Sequence, residues 1–111
     1  MMSEFKQTVV ILRHGDAVAK DVDPERPVSD RGRRQAEAVG SWLGRCGVNV
    51  AQVRHSGKAR ARQTAELVAA ALGLEPRAVQ AVDGLAPNDD VGAVAAELET
   101  EGSSVVLVGH L

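Results

Sequence analysis

An α/β fold with a mostly parallel sheet and helices on both faces is what this sequence predicts. Three observations carry that expectation. Two short β-branched apolar runs, Thr8–Leu12 and Ser104–Val108, read as buried strands near either end of the chain. Between them, segments at helical spacing alternate with further short strand candidates. The glycines stand where helices would stop.

The elements follow in order. Strand one leads into Arg13-His14-Gly15, with a frayed lead-in over Met1–Lys6 before it. Asp16–Val28 is a polar loop punctuated by Pro24 and Pro27. Ser29 is placed to cap a helix over Asp30–Arg45, with Ala36, Val39, Trp42 and Leu43 as its apolar stripe and Gly47 past its end. Val48–His55 is a short strand that runs into Ser56-Gly57. Ala59–Leu72 is an Ala- and Leu-rich helix with Gly73 at its C′ position. Ala78–Val82 reads as an edge strand and Gly84–Asn88 as a loop. Asp89 or Asp90 would cap a helix that reaches about Glu99, and Gly102-Ser103 breaks it before the final strand. Residues 1–111 therefore form one domain, with no repeat and no linker.

Composition narrows the function classes. At 44% apolar residues the chain can bury a core, and with Phe5 and Trp42 its only aromatics that core is Val, Leu, Ala and Ile. A net charge of -2 makes no electrostatic case for nucleic acid or a membrane surface. Basic residues do cluster locally, over Arg31–Arg34 and Arg54–Arg62. The single cysteine, Cys46, rules out an internal disulfide and a cysteine-only metal site, and it is expected to pack at a helix end. No apolar run has the length of a membrane span or a signal segment, so a cytoplasmic location is expected.

The chemistry gathers at strand ends. The first and last strands each end in a histidine, His14 and His110. In an open parallel sheet ligands bind beyond the carboxyl ends of the strands, so as parallel neighbours these two would share one crevice. Arg13 would enter it, and Lys58, Arg60 and Arg62 lie at the start of the second helix. Taken singly, each histidine is as well explained as a structural residue and each arginine as a solvated charge. Taken together, two imidazoles and arginine forks make a pocket for a tetrahedral dianion. A metal is disfavoured, because the arginines repel a cation and no carboxylate belongs to the set.

The same residues carry a family resemblance. Leu12-Arg13-His14-Gly15 resembles the signature of the histidine phosphatase superfamily, the phosphoglycerate mutase-like fold. Arg26-Pro27-Val28-Ser29 through Gly32 and Gln35-Ala36 is similar to its R-P-L-T-x-x-G-x-x-Q-A segment. Ser56 with Arg60-Ala61-Arg62-Gln63-Thr64-Ala65 is similar to S-x-x-x-R-A-x-Q-T-A, and Val108-Gly109-His110 to its second-histidine site. The likeness covers about Thr8 to Leu111. It implies that His14 is a nucleophile that becomes phosphorylated. It implies that Arg13 and Arg60 bind the phosphoryl oxygens, and that His110 completes the pocket without metal or other cofactor. Arg62, Lys58, Arg33, Arg34 and Arg45 are left as solvated helix charges.

The acid narrows the choice within the family. Phosphate monoesters expel an alkoxide that wants a general acid. The resemblance puts that acid either directly after the second histidine, here Leu111, or at a Glu position that aligns with Pro87. Asp83, Asp89 and Asp90 are the remaining candidates, with helix capping the plainer role for the last two; Asp16 reads as a loop hydrogen-bonding residue. Phosphohistidine has a better leaving group. Leu85-Ala86-Pro87 with Asp90-Val91 also resembles the small SixA-type phosphohistidine phosphatases.

The expected substrate is thus phosphohistidine on a signalling protein, such as a histidine phosphotransfer domain. A small phosphorylated metabolite, taken by a phosphomonoesterase or mutase, is the alternative, and an inert phosphate-binding module is a third reading. Relatives of this type continue well past the second histidine, whereas this chain ends one residue beyond His110. The expectation is a truncated form whose last strand exposes an apolar patch, or a chain that completes its core by self-association.

Overall fold

The computed structural model describes residues 8–87, 89 and 104–110. Four strands make one sheet: β1 (Val9–Arg13), β2 (Gln52–His55), β3 (Val79–Ala81) and β4 (Val105–Gly109). Their order is β1-β4-β2-β3, and every pairing is parallel. Two helices, α1 (Asp30–Arg45) and α2 (Ala59–Ala71), link β1 to β2 and β2 to β3. Both links step across the sheet in the same direction. Right-handed crossovers therefore put both helices on one face.

That face is the main core. Val10, Leu12, Val53, Val106 and Val108 point to it and pack with Ala36 and Leu43 of α1 and Ala61, Ala65 and Val68 of α2. Period-two alternation sends Val105 and Leu107 to the other face, where Leu85 and Val82 cover them. The helix expected from Asp89 or Asp90 to Glu99 lies outside the described residues, Asp89 excepted. Among the described residues no helix is long and apolar enough to cross a membrane.

The helix ends behave as the sequence predicts. Ser29 caps α1, its hydroxyl accepting the Gly32 N–H at 3.1 Å, a contact typically worth about 1 kcal/mol. Gly47 and Gly73, past the ends of α1 and α2, take φ of 74° and 75°, the left-handed region that costs other residues more.

Three expectations need correction. Trp42 is 56% exposed and leaves the α1 stripe. Gly40 takes its place, because a Cβ there would come within 2.6 Å of the Ala71 Cβ and 2.9 Å of the Val68 carbonyl oxygen. α1 and α2 approach along the glycine, and the indole is rotated out. Cys46 does sit at the C-cap of α1, but it is exposed rather than packed. Within the basic cluster over Arg54–Arg62, Arg54 is only 5% exposed, and its Nε donates to Gln52 Oε1 at 3.0 Å. Finally, β4 exposes no apolar patch: all five of its residues are buried between β1 and β2. Within the sheet the exposed large apolar side chains fall on β1 instead, at Val9 (39%) and Ile11 (59%).

Candidate active site

Because the strands are parallel, their carboxyl ends lie along one edge of the sheet, and adjacency of β1 and β4 brings His14 and His110 together. The ladder runs one step past β1, with the His14 N–H donating to the Gly109 carbonyl at 3.1 Å. The two imidazole centroids stand 5.0 Å apart, with ring planes inclined by 57°.

The loop after β1 is held from three sides. The Gly15 N–H donates to Thr64 Oγ1 at 2.8 Å, and that hydroxyl donates to the Arg60 carbonyl one turn back in α2 at 2.7 Å. The Asp16 N–H donates to Gln35 Oε1 at 2.9 Å, and the Val28 N–H to Gln63 Oε1 at 2.7 Å. Gly15 also lies directly against the first turn of α1. A Cβ on it would stand 2.8 Å from the Gly32 carbonyl oxygen.

These contacts define the state of His14. Its Nδ1 is 2.8 Å from the Gly15 carbonyl oxygen, which can only accept, so Nδ1 carries the proton. Nε2 keeps its lone pair, and Arg60 Nε donates to it at 3.3 Å. Burial, then the charges of Arg60, Arg13 and Arg26, hold the His14 pKa below the ordinary imidazole value, against an opposing pull from the Gly15 hydrogen bond. The ring is therefore neutral at pH 7.

His110 is neutral for the same reasons. Burial first, then Arg60, His14, Lys58 and Arg13, bring its pKa down to about 4. Its Nε2 lies 2.7 Å from Ser56 Oγ, at the end of β2, and the Ser56 hydroxyl accepts the Lys58 N–H at 3.4 Å. Burial also lowers the pKa of the Arg60 guanidinium. Burial is the larger cause of these depressions; the neighbouring guanidiniums add to it, and a dianion would offset that second contribution.

The sequence-predicted residues are thus largely brought together. His14, Arg60 and His110 meet directly. Arg13 is exposed at the end of β1 and lines a crevice of about 300 Å³ with His14. Lys58 is exposed but near enough to His110 to depress its pKa. Arg62 faces another groove, beside His55 and Glu66. Arg33, Arg34 and Arg45 are exposed. Of the acid candidates, the Asp89 carboxylate accepts the Ala86 N–H at 3.0 Å, the Asp16 carboxylate lies 2.8 Å from the Ser29 hydroxyl, and Asp83 is exposed. Asp90 lies outside the described residues.

Sequence reasoning missed three contributors. Arg26 shares the crevice with Arg13 and His14, Ser56 holds His110, and Thr64 holds Gly15. Each lies inside a segment that carried the family resemblance, which was the signal available. The third histidine, His55, is structural: it is 5% exposed, and its Nδ1 accepts the Gly57 N–H at 3.0 Å. Among the described residues no three His, Cys, Asp or Glu side chains are grouped to hold a metal ion.

Comparison with known proteins places the chain in a family. The profile of the Histidine phosphatase superfamily (branch 1) matches residues 9–100. An uncharacterized protein of Picosynechococcus sp. is 38% identical over 107 residues, covering 89% of this chain and 63% of its own length. The mitochondrial serine/threonine-protein phosphatase Pgam5 of Drosophila mojavensis is 31% identical over 68 residues, covering 60% of this chain and 24% of its own length. The chain thus spans less than two thirds of either curated relative. The structure of the protein histidine phosphatase SixA complexed with tungstate superposes with a TM-score of 0.82 at 34% identity, covering 93% of this chain and 69% of that one. With the profile match spanning most of its length and the paired histidines in place, the chain belongs to the histidine phosphatase superfamily, branch 1, and its fold is close to that of SixA.

Proposed function

We propose that this protein is a phosphatase that works through a phosphohistidine intermediate on His14 and takes phosphohistidine on a signalling protein as its substrate. The observation that carries the reading is the state of His14. Nδ1–H is fixed on the Gly15 carbonyl, and the Nε2 lone pair faces the Arg60 guanidinium in a pocket closed by His110. In the first step Nε2 attacks phosphorus as the bond to the leaving group breaks, and the leaving group takes that electron pair and a proton from water. In the second step water attacks phospho-His14, inorganic phosphate leaves, and the lone pair returns to Nε2. Arg13 and Arg60 bind the phosphoryl oxygens and stabilise charge as it spreads over them. His110, oriented by Ser56, sits across the transferred group.

The leaving group favours phosphohistidine over an ester. Positions 87 and 111 are Pro and Leu, and the Asp89 and Asp16 carboxylates already have partners. An imidazole leaving group tolerates such a site better than an alkoxide does. The 34% identity to SixA, a protein histidine phosphatase that holds tungstate, a tetrahedral oxyanion, supports the same choice.

The test is acid-quench trapping with a ³²P-labelled phosphohistidine protein, alongside rates on sugar phosphates. Label on the wild-type chain, none on His14→Ala, and faster turnover of phosphohistidine are expected. Undiminished turnover by His14→Ala overturns the intermediate, faster sugar phosphate turnover overturns the substrate, and phosphate binding with no turnover points to a binding module.

A further inference from the structure

One phosphoryl dianion is matched by the two guanidiniums of Arg13 and Arg60. The site holds more cations than that. Arg26 and Arg31 line the same crevice as Arg13 and His14. Among the described residues no carboxylate forms an ion pair with Arg13, Arg26 or Arg31. Asp16 also lines the crevice, but its contact is with the Ser29 hydroxyl. In a chain of net charge -2 this is a local excess of positive charge with no partner of its own.

Arg26 is also built into place. It is the one non-glycine among the described residues with positive φ, 49°, a conformation that costs a residue with a Cβ. Its Nε donates to the Val18 carbonyl at 3.2 Å, and the neighbouring strand-like turn is closed by Val18 N–H to Pro27 O at 2.8 Å. The loop thus holds a strained arginine next to His14 rather than letting it extend into solvent. Arg31 comes from the first turn of α1, a regular helix, and lines the same crevice.

We propose that the crevice lined by Arg26 and Arg31 is a subsite for a second anionic group on the same substrate, a carboxylate or phosphate carried next to the phosphoryl group. This rests on the reading of His14 and Arg60 as the phosphoryl site. Two sources would present that chemistry: an acidic side chain flanking a phosphorylated residue of a protein, or the carboxylate of a small phosphorylated acid.

The experiment is equilibrium binding by the full chain of two peptides with a non-hydrolysable phosphohistidine analogue, one flanked by Glu and one by Gln, and of phosphonoacetate against methylphosphonate. The Glu peptide is expected to bind about tenfold tighter than the Gln peptide, as two charge-assisted contacts at a partly exposed site would give. In Arg26→Gln and in Arg31→Gln that ratio should fall, and in the double variant it should approach one. Arg31→Gln, at an exposed helix position, keeps the test decisive if Arg26→Gln disturbs its loop. A preference confined to peptides assigns the second anion to a protein, and one shown by phosphonoacetate as well assigns it to a small acid; either supports the subsite. Equal binding within each pair, or a preference that survives the double variant, overturns it while leaving the phosphoryl site standing. No binding of any probe overturns the phosphoryl site and the subsite together.

Discussion

The Gly15 amide and the Thr64 hydroxyl, 49 residues apart in the chain, meet at 2.8 Å in the buried seam between the β1 loop and α2. Thr64 also donates to the Arg60 carbonyl, so one side chain ties the proposed nucleophile's loop to the turn that carries Arg60. Replacing Thr64 with Val keeps the shape and strands a buried N–H. The expected cost is about 1–3 kcal/mol of stability, read by urea denaturation. A fall in kcat that Thr64→Ser restores would separate this role from packing alone.

Glycine at position 32 is expected to be needed for the site, and glycine at position 40 for the fold. A Cβ at Gly32 would collide with the Asp16 carbonyl oxygen, and the loop carrying His14 would have to move. A Cβ at Gly40 would press α1 off α2 at Ala71, away from the site. Both alanine variants should lose about 1–3 kcal/mol through overpacking, but only Gly32→Ala should lower kcat by more than its unfolded fraction explains. Thermal melts with kcat at a temperature where both stay folded provide the check.

Arg60 is expected to be irreplaceable. Arg60→Ala removes a fixed donor from the transferring group and should lower kcat by about 10²–10³-fold. Arg60→Lys keeps the charge without the planar fork and should recover little of the loss. Steady-state rates on a phosphohistidine substrate decide this, and wild-type activity in the Lys variant would contradict it.

Acid should tighten dianion binding and weaken the empty fold. With its pKa near 4 in the free protein, His110 gains a proton more readily once a dianion is bound. Sulfate, which stays a dianion, should bind more tightly as pH falls from about 6.5 and level off below about 4. In the unfolded chain His14, His55 and His110 return to ordinary imidazole values, so between those limits the unfolded state holds more protons. Stability of the unliganded protein should therefore fall as pH drops through this window, because all three folded pKa values are lowered. Calorimetric titration with sulfate and melts across pH 4–8 measure both effects.

By itself the sequence determined the strand–helix alternation, the caps at Ser29, Gly47 and Gly73, and the strand ends that carry His14 and His110. These depend on local conformational preference and on the period of apolar residues, both of which are written in short windows of chain. It also named His14, His110 and Arg13, because chemistry-bearing side chains at the ends of apolar strands stand out, and Arg60, because the segment around it resembles a family motif. Only the tertiary structure decided the rest. Strand order set His14 beside His110, although 96 positions separate them. The close contact at Gly40 turned Trp42 outward. Long-range hydrogen bonds gave Ser56 and Thr64 their places, and the fold of its own loop set Arg26 beside His14; such contacts depend on which atoms the fold brings nearby, a quantity that no local pattern encodes.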